Sequence, residues 1–399
     1  MRRVNTFNTR NLQPIVAALA ATLLLAGCRQ DLTPPAPPAP PVASGMSAVT
    51  AVDSTQQVVG IAGNRFTLNG NPWLPQGVML RGFVGPPAYE KNSAKNAYTA
   101  YLNYGVAELN AAKAYGADML RFQVSQPGLD PQSKLYDAQY VQTFLTAVKL
   151  ARQHHFVVII SMQDESRSGD PVRHALPIAA TVRNWDMLNG VFSTDRGVMF
   201  ELYNEPALLS NAANWQLWAQ GNPNATPDAF TGMQTLITRL RAAGSQNVLL
   251  LDGLGFASNT LKGVPAITDP LSRVAYAVHP YQHGSADESR WDEQFGIPSQ
   301  TLPVLSTEWS AQVGNGLGLG KLPSYQVAVD LLNYMRAHNI PMGVGEFDIP
   351  GFMVQNEPGW TPTNYGHYAS ADTLQDAGML VHNDFLNHYS RNLTLSDGL

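Results

Sequence analysis

The chain has 399 residues, a formal net charge of −5 at pH 7 and a single cysteine. Nucleic-acid binding rests on basic patches, so this acidic balance argues against a nucleic-acid partner. A lone cysteine also leaves no internal disulfide. The length suits one large α/β domain, because α/β barrels often exceed the usual domain size.

The amino terminus is typical of a secretory leader. Arg2, Arg3 and Arg10 precede an apolar stretch from Ile15 to Leu25, which is too short to span a bilayer. The stretch ends in Leu25-Ala-Gly-Cys28, which resembles a bacterial lipobox. The resemblance implies that residues 1–27 are a signal peptide and that Cys28 carries a lipid anchor in the bacterial cell envelope. Arg29 after the cysteine favours the outer membrane. An incidental cysteine within a signal peptide is the alternative.

Residues 28–58 are predicted to be a linker. The segment from Thr33 to Val42 is mostly proline, which favours an extended, semi-rigid polyproline II conformation. Removing residues 1–27 takes away three arginines and no acid, so the net charge of the remainder becomes −8. We expect the folded body, residues 59–399, to stand off a membrane surface as a monomer.

The body alternates between predicted strands and helices. It begins with a hairpin, in which Asn69-Gly70 supplies the turn. Eight apolar strands follow: Val78–Gly82, Met119–Val124, Val157–Gln163, Val198–Asn204, Val248–Asp252, Val274–Tyr281, Val304–Trp309 and Pro341–Phe347. The clearest helices are Tyr98–Tyr115, Tyr140–His154, Thr231–Ala243, Tyr325–His338 and Thr373–Leu386.

This alternation predicts a (β/α)₈ barrel, because apolar strands without polar alternation belong to parallel sheets covered by helices. We expect the hairpin to cap the bottom of the barrel. An open doubly wound sheet is the competing fold. It would typically carry a glycine-rich phosphate loop after its first strand, and the segment after Val78 does not supply one.

Polar side chains cluster at the carboxyl ends of the predicted strands, where barrels carry their function. Two of these strands end in a glutamate, Glu205 and Glu308, 103 positions apart. Desolvating a carboxylate is costly, so a functional reason is expected for each. Arg121, Asn204, His279 and Tyr281 end strands in the same way. Paired carboxylates can cleave a glycosidic bond, one protonating the leaving oxygen and the other attacking the anomeric carbon.

Four motifs make the chain resemble a clan A glycoside hydrolase, most closely family 5, which includes many endoglucanases and mannanases. They are Gly116-Ala-Asp-Met-Leu-Arg121, Glu201-Leu-Tyr-Asn-Glu-Pro206, Ala277-Val-His-Pro-Tyr281 and Ser306-Thr-Glu-Trp309. The resemblance implies a retaining reaction in which Glu205 is the acid/base and Glu308 the nucleophile.

The resemblance also implies roles for the neighbours of the two glutamates. Arg121 and Tyr281 would keep Glu308 ionised, Asn204 would bind the sugar 2-hydroxyl, and His279 would lie near Glu205. Trp309 would offer a stacking face to sugar rings, as would some of Trp185, Trp215, Trp218, Trp291 and Trp360. No cofactor and no metal are expected.

Two positions depart from the family pattern. Gln163 stands where family members commonly place a histidine, and it can hydrogen-bond a sugar but cannot titrate. The eighth strand lacks the tryptophan that usually lies beneath the −1 sugar, for which Phe347 or Trp360 are the candidate substitutes. These departures bear on the substrate more than on the chemistry.

Three functions remain open from the sequence. The first is an endo-acting β-1,4-glucanase or mannanase-like enzyme, acting on a polysaccharide or oligosaccharide. The second is a surface lipoprotein that binds polysaccharide with a catalytically weak barrel. The third, a metal-dependent barrel hydrolase, is the least favoured, because His279 lacks a second histidine at ligand spacing.

Overall fold

The computed structural model describes residues 57–86, 104–165, 168–169, 173–225, 229–258, 261–281, 288–309, 322–350, 352–356, 358–364, 377–387 and 392–398. The predicted leader, Cys28 and nearly all of the linker therefore lie outside the described residues. None of the described helices combines the length and the hydropathy that a transmembrane span requires.

The body opens with a small antiparallel sheet. Strand β1 (Val59–Ala62) pairs with β2 (Arg65–Leu68), and the short β3 (Asn71–Pro72) pairs with β2. Asn69 and Gly70 have φ angles of 53° and 80°, which is the left-handed geometry that the predicted turn requires. Val59 and Phe66 are buried against the lower interior of the barrel. The hairpin therefore caps the bottom of the barrel, as predicted.

The eight predicted strands are all present and form a closed parallel barrel, in which consecutive strands are neighbours. They are β4 (Gln76–Leu80), β5 (Met119–Ser125), β6 (Val157–Gln163), β7 (Val198–Glu201), β8 (Leu249–Asp252), β9 (Val274–Val278), β10 (Val304–Ser306) and β11 (Met342–Val344). The closed barrel excludes the open doubly wound sheet.

Several strands end earlier than predicted. β7 ends at Glu201, β9 at Val278 and β10 at Ser306, so Glu205, His279 and Glu308 follow their strands instead of terminating them. Their backbones leave the regular ladder; the His279 N–H, for example, donates to the carbonyl of Ala257 at 2.9 Å. The site therefore lies on the short segments that follow the strands.

Helices surround the barrel. The longer ones are α1 (Val106–Ala114), α3 (Ala138–Gln153), α4 (Ala179–Phe192), α5 (Ala212–Gln220), α6 (Met233–Ala242), α8 (Leu322–Ala337) and α9 (Gly378–Asn387). Single-turn helices are α2 (Gln126–Leu129) and α7 (Glu288–Trp291), and α7 continues into a π-helix (Asp292–Gly296) and a 3₁₀ turn (Pro298–Gln300). A last 3₁₀ turn spans Leu395–Gly398.

The predicted helices are present within a few residues of their bounds, except that parts of two predictions, before 104 and over 373–376, lie outside the described residues. Helix α3 shows why its boundary is well defined. The Asp137 carboxylate accepts hydrogen bonds from the N–H groups of Gln139 and Tyr140, at 2.9 and 3.1 Å, and so caps its amino terminus.

The interior of the barrel has two layers of different chemistry. The lower layer is apolar and consists of Met119, Val157, Ile159, Met199, Val248, Leu250, Ala275 and Leu305. The layer above it is polar and consists of Arg121, Ser161, Glu201, Asp252, His279 and Thr307, all with 0% exposure. Because inward positions recur every second residue, the strands β5 to β8 each pass from the lower layer to the upper one within two residues. The larger apolar core lies between the strands and the helices.

Candidate active site

Glu308 lies just after β10 and is held by three side chains. Its Oε2 accepts hydrogen bonds from Arg121 Nη1 at 2.7 Å and Gln123 Nε2 at 3.1 Å, and its Oε1 accepts one from the Tyr281 hydroxyl at 2.8 Å. Burial opposes ionisation of Glu308, but the charges of His279 and Arg121 and these hydrogen bonds outweigh it, so the pKa of Glu308 lies below its ordinary value. Glu308 is therefore an oriented, ionised carboxylate.

The centre of the polar layer is an ion pair between Arg121 and Glu201. Arg121 Nε lies 2.6 Å from Glu201 Oε2, and Nη2 lies 3.0 Å from Oε1, so the pairing is bidentate. Burial by itself would lower the pKa of Arg121, but the charges of Glu201 and Glu308 raise it. Burial of Glu201 is likewise outweighed by the charge of Arg121, which lowers the pKa of the glutamate. Both groups are thus charged despite full burial.

Asn204 and Gln163 stand beside this pair. Asn204 Oδ1 accepts from Arg121 Nη2 at 2.7 Å, which leaves its amide nitrogen to donate elsewhere. Gln163 is buried at the end of β6, and its Nε2 donates to Ser161 Oγ at 2.9 Å. Gln163 Oε1 has no hydrogen-bond partner among the described residues. Both amides therefore lie close to the central ion pair, at or just after the carboxyl ends of β6 and β7.

Glu205 follows β7 and contacts His279. Its Oε1 lies 2.9 Å from His279 Nδ1, and the other ring nitrogen, Nε2, lies 3.0 Å from Thr307 Oγ1. The Thr307 hydroxyl then donates to Glu201 Oε1 at 2.7 Å. Burial lowers the pKa of His279, but the charge of Glu308 and hydrogen bonds with Glu201 and Glu205 outweigh it and raise the pKa to about 10. The charged ring donates from both nitrogens and links Glu205 to the central ion pair.

The two glutamates face each other across the mouth of the barrel. One oxygen of Glu205 and one of Glu308 lie within 4.8 Å of each other and of a ring nitrogen of His279. Their side chains are 18% and 12% exposed, so both are reachable from solvent. Such an arrangement can present one carboxyl group as a proton donor and the other as a nucleophile to the same bond.

Ligand-type side chains for a metal also meet here, because Glu201, Asp252 and His279 form one group within 4.8 Å and Glu205, His279 and Glu308 form another. Both groups depend on His279, whose two ring nitrogens are already hydrogen-bonded to Glu205 and Thr307. Arg121 further balances the charge of Glu201 and Glu308. The carboxylates in these groups therefore already have protein partners.

The end of β11 differs from the family pattern in a definite way. Gly345 and Glu346 follow the strand, and Glu346 forms a buried ion pair with Arg81, which follows β4. Asp348 accepts hydrogen bonds from the backbone N–H groups of Arg81 and Gly82, at 2.9 and 2.6 Å. Burial of Glu346 raises its pKa to about 7, against the opposing charge of Arg81. An ionic pair thus joins the first and last strands at the mouth.

The expectation that Phe347 lines the site is corrected by its packing. The Phe347 side chain has 0% exposure and lies in the outer core, with its ring edge-to-face against Tyr115 at a centroid distance of 5.4 Å. Its backbone N–H pairs with the carbonyl of Met79. The side chain therefore points away from the mouth and cannot replace the missing tryptophan.

The tryptophans also pack differently from the expectation. Trp309 is 2% exposed and belongs to the outer core, so it does not offer a free stacking face. Four other tryptophans that were expected as possible stacking faces are buried in the same core: Trp185, Trp215, Trp218 and Trp291. Trp360 is partly buried against it. The indoles of the five buried tryptophans are therefore part of the outer core.

Several residues of the site were not predicted from the sequence. Glu201 contacts Arg121, and Gln123 contacts Glu308. Thr307 lies between His279 and Glu201 and is hydrogen-bonded to both. A signal for two of them was present. Gln123 lies two positions after Arg121, and Glu201 is an acid inside an apolar run, which requires a buried partner. Asp252, at the end of β8, is the fourth residue of the site that the sequence analysis did not name.

The fold and the site together define a (β/α)₈-barrel protein with two facing glutamates at the mouth of the barrel. Residues 90–349 match the model of the cellulase family, glycosyl hydrolase family 5, and the chain belongs to this family. The chain is accordingly a glycoside hydrolase, and the resemblance read from its four motifs is confirmed. No curated protein sequence matches the chain.

Solved structures show the same fold at low sequence identity. The β-glucanase SdGluc5_26A of Saccharophagus degradans has a TM-score of 0.59 and 19% identity, covering 85% of this chain and 96% of that one. The Thermobifida fusca endoglucanase Cel5A has a TM-score of 0.58 and 15% identity, with coverage of 83% and 98%. A β-mannanase of Thermomonospora fusca has a TM-score of 0.53 and 16% identity, with coverage of 85% and 96%.

Proposed function

We propose that the protein is a retaining glycoside hydrolase that cleaves β-glycosidic bonds of a glucan or mannan. The observation that carries the proposal is the separation of Glu205 and Glu308, whose nearest oxygens lie within 4.8 Å. Retaining enzymes hold their carboxyl groups about 5–5.5 Å apart, whereas inverting enzymes need about 6.5–9.5 Å to admit a water molecule. The gap suits direct attack by a carboxylate.

In the first step, Glu308 attacks the anomeric carbon and forms a glycosyl ester, while the bond to the leaving oxygen breaks. Glu205 donates its proton to that oxygen. His279 Nδ1 lies 2.9 Å from Glu205 Oε1, whereas Arg173 Nη2 lies 3.4 Å from Oε2, so Oε2 is the less tightly held oxygen and the one assigned the proton. Arg121 and Tyr281 keep Glu308 ionised and aimed, and burial and the charge of Glu308 raise the pKa of Tyr281, so its hydroxyl stays a donor.

In the second step, a water molecule attacks the anomeric carbon and Glu205 takes the proton of that water. The ester bond breaks, Glu308 returns to the carboxylate, and the sugar is released with its original anomeric configuration. Glu205 ends protonated, ready for another cycle. Because Asn204 Oδ1 accepts from Arg121, its amide nitrogen would donate to the sugar 2-hydroxyl, a contact that strengthens in the transition state.

The assignment is tested by NMR of the first-formed anomer and by two variants. A retained β-anomer is expected. Glu308→Ala should abolish turnover, and Glu205→Ala should nearly abolish it, with azide restoring part of the activity by replacing water as nucleophile. Full activity in either variant, or an α-anomer as first product, would overturn the assignment. The appearance of hydrolysis products distinguishes this enzyme from a surface lipoprotein that only binds polysaccharide.

The substrate is proposed as a β-1,4-glucan or mannan, cut internally. Among the structures of similar fold, the Saccharophagus degradans β-glucanase has been solved with cellotetraose bound, and another structure is a β-mannanase. A panel of β-glucans, mannans and xylans, with products sized over time, tests this. Early release of medium-length oligosaccharides would support internal cutting, and release of one small product from the start would contradict it.

We further propose that Cys28 is lipidated and that residues 28–58 tether the enzyme to the cell envelope, where it meets polysaccharide fragments. The support is the lipobox-like Leu25-Ala-Gly-Cys28 and the proline-rich segment after it. Radiolabelled palmitate should label the wild-type chain and not a Cys28→Ala variant. Equal labelling of both chains would refute the anchor.

A further inference from the structure

The backbone of Glu205 has an uncommon conformation. Its φ angle is 52°, in the left-handed region that non-glycine side chains rarely adopt. The residue is followed by Pro206, which restricts it further. A conformation of this kind is energetically unfavourable and persists only where surrounding contacts enforce it. Something must therefore hold the Glu205 peptide in place.

Two side chains hold it, one on each side. The Glu205 N–H donates to Asp252 Oδ2 at 2.8 Å, and the Glu205 carbonyl accepts from Arg173 Nη2 at 2.6 Å. Arg173 is anchored in turn over the ring of Phe256, with its guanidinium carbon 4.9 Å from the ring centroid. Arg173 is 26% exposed, whereas Asp252 is completely buried at the end of β8. Asp252 is the more rigid of the two contacts.

Asp252 differs from the other buried carboxylates of the polar layer. Among the described residues no lysine or arginine forms an ion pair with it, and the nearest cationic atom is His279 Nε2, 3.7 Å from Oδ2. Its Oδ1 has no hydrogen-bond partner in the described part of the chain. Burial and the charge of Glu201 raise the pKa of Asp252 well above its ordinary value, against the charges of His279 and Arg121. A neutral carboxyl can accept the Glu205 N–H without placing another negative charge beside Glu201.

We propose that Asp252 is a positioning residue for the acid/base: by accepting the Glu205 N–H it keeps that peptide left-handed and so aims the Glu205 carboxyl at the leaving oxygen. The inference rests on the proposed acid/base role of Glu205. If the peptide relaxed, the carboxyl would move relative to His279 and Glu308, and a misplacement of about 1 Å can cost roughly 100-fold in rate. Proton donation would suffer, while attack by Glu308 would not.

The dependence of kcat/KM on the leaving group separates positioning from a general loss of structure. Aryl β-cello-oligosaccharides with phenol as leaving group need proton donation, whereas those with 2,4-dinitrophenol do not. For Asp252→Ala we expect kcat/KM to fall about 10- to 100-fold with the phenyl substrate and no more than about threefold with the dinitrophenyl substrate. Asp252→Asn, whose amide oxygen can still accept the N–H, should regain most of the loss.

The matched control is Asp118→Ala. Asp118 is also an aspartate that accepts a backbone N–H, that of Gln76 at 3.0 Å, but it lies at the bottom of the barrel. It should affect both substrates equally. If Asp252→Ala does not fold, Asp252→Leu fills the same space without an acceptor and is measured instead.

Equal losses on both substrates, or no loss, in a folded Asp252 variant would overturn the proposal. Glu205→Ala is measured on the same pair of substrates, and it should show the same preference more strongly. If Glu205→Ala shows the preference and Asp252→Ala does not, only the role of Asp252 fails. If Glu205→Ala shows no preference, the acid/base assignment fails and the proposal for Asp252 fails with it.

Discussion

The two ends of the barrel interior are built from the same strands and do opposite things. At the bottom, Met199 and Leu250 pack against apolar neighbours beneath the hairpin. Two residues further along the same strands, Glu201 and Asp252 are buried among charges. The bottom lowers the free energy of the fold by removing apolar surface from water, at about 25 cal/mol per Å². At the mouth, the desolvation of buried charges offsets part of that stability.

The charged groups of the site lie at the mouth, and the apolar layers elsewhere in the fold compensate for their desolvation. A buried ion pair contributes little net stability, because desolvation offsets the attraction between the charges. Once formed, however, it cannot lose one partner without leaving the other charge uncompensated. Arg121 and Glu201 are therefore tolerated only because the lower layer and the outer core supply the stability. Four substitutions test this difference between the two ends of the barrel.

Removing the central cation should have the largest effect. Arg121→Met leaves Glu201 and Glu308 buried without their partner, so we expect a loss of about 3–5 kcal/mol in the free energy of unfolding at pH 7, together with loss of turnover. The loss in stability should shrink at pH 4, where the carboxylates can take up protons. Denaturant titrations at both pH values measure it. A loss below about 1 kcal/mol at pH 7 would contradict the view that the mouth depends on charge balance.

Opening the bottom of the barrel should cost stability but not activity. Phe66 is 2% exposed and packs into the lower layer, so Phe66→Ala should cost about 3–4 kcal/mol through lost burial and a cavity. The kcat/KM of the molecules that remain folded should stay at the wild-type value. Val191→Ala, on the exposed face of α4, is the control and should change neither quantity. A large fall in kcat/KM for folded Phe66→Ala would show that the two ends are coupled.

Removing one donor at the mouth should change activity more than stability. Tyr281→Phe deletes the hydroxyl that donates to Glu308, and a hydrogen bond to a charged group contributes about 1.5–3 kcal/mol, which corresponds to a fall of roughly 10- to 100-fold in kcat/KM. That hydrogen bond also lowers the pKa of Glu308, so its loss raises that pKa. The acidic limb of the pH profile should therefore move to higher pH.

The control for this variant is Tyr276→Phe, because Tyr276 lies on β9 but faces the outer core. It should leave the acidic limb where it is in the wild type. An unmoved acidic limb in Tyr281→Phe would contradict the role of this hydroxyl at Glu308.

The last test concerns a carboxyl group at the bottom of the barrel. Burial raises the pKa of Asp118 to about 6, against hydrogen bonds from Trp73 and Gln76 that lower it. The folded state therefore binds this proton more tightly than the unfolded state, and stability should fall as pH rises from about 4 to 6. Asp118→Asn should remove that slope, apart from a constant offset for the lost acceptor. Parallel pH curves for the two proteins would refute the shift.

How much of this could be predicted depends on the range of the interactions involved. The eight strands, the hairpin and the location of Glu205 and Glu308 on the carboxyl side of their strands follow from local patterns of apolar residues and turns. The lengths of β7, β9 and β10 do not, because the segments after them leave the ladder to make contacts with distant parts of the chain. Phe347 shows the same limit, since its neighbour Tyr115 is far away in sequence.

The barrel and the family follow from the amino-acid sequence, because periodicity, turn residues and four short motifs are local properties of the chain. Three features follow only from the folded chain: Arg121 pairs with Glu201, Trp309 packs outward, and Asp252 accepts the Glu205 N–H. Each of these depends on which strands are neighbours in a closed barrel and on how their residues are aligned. Alternation along one strand determines which side chains face the barrel interior, but the residues that they contact there belong to other strands.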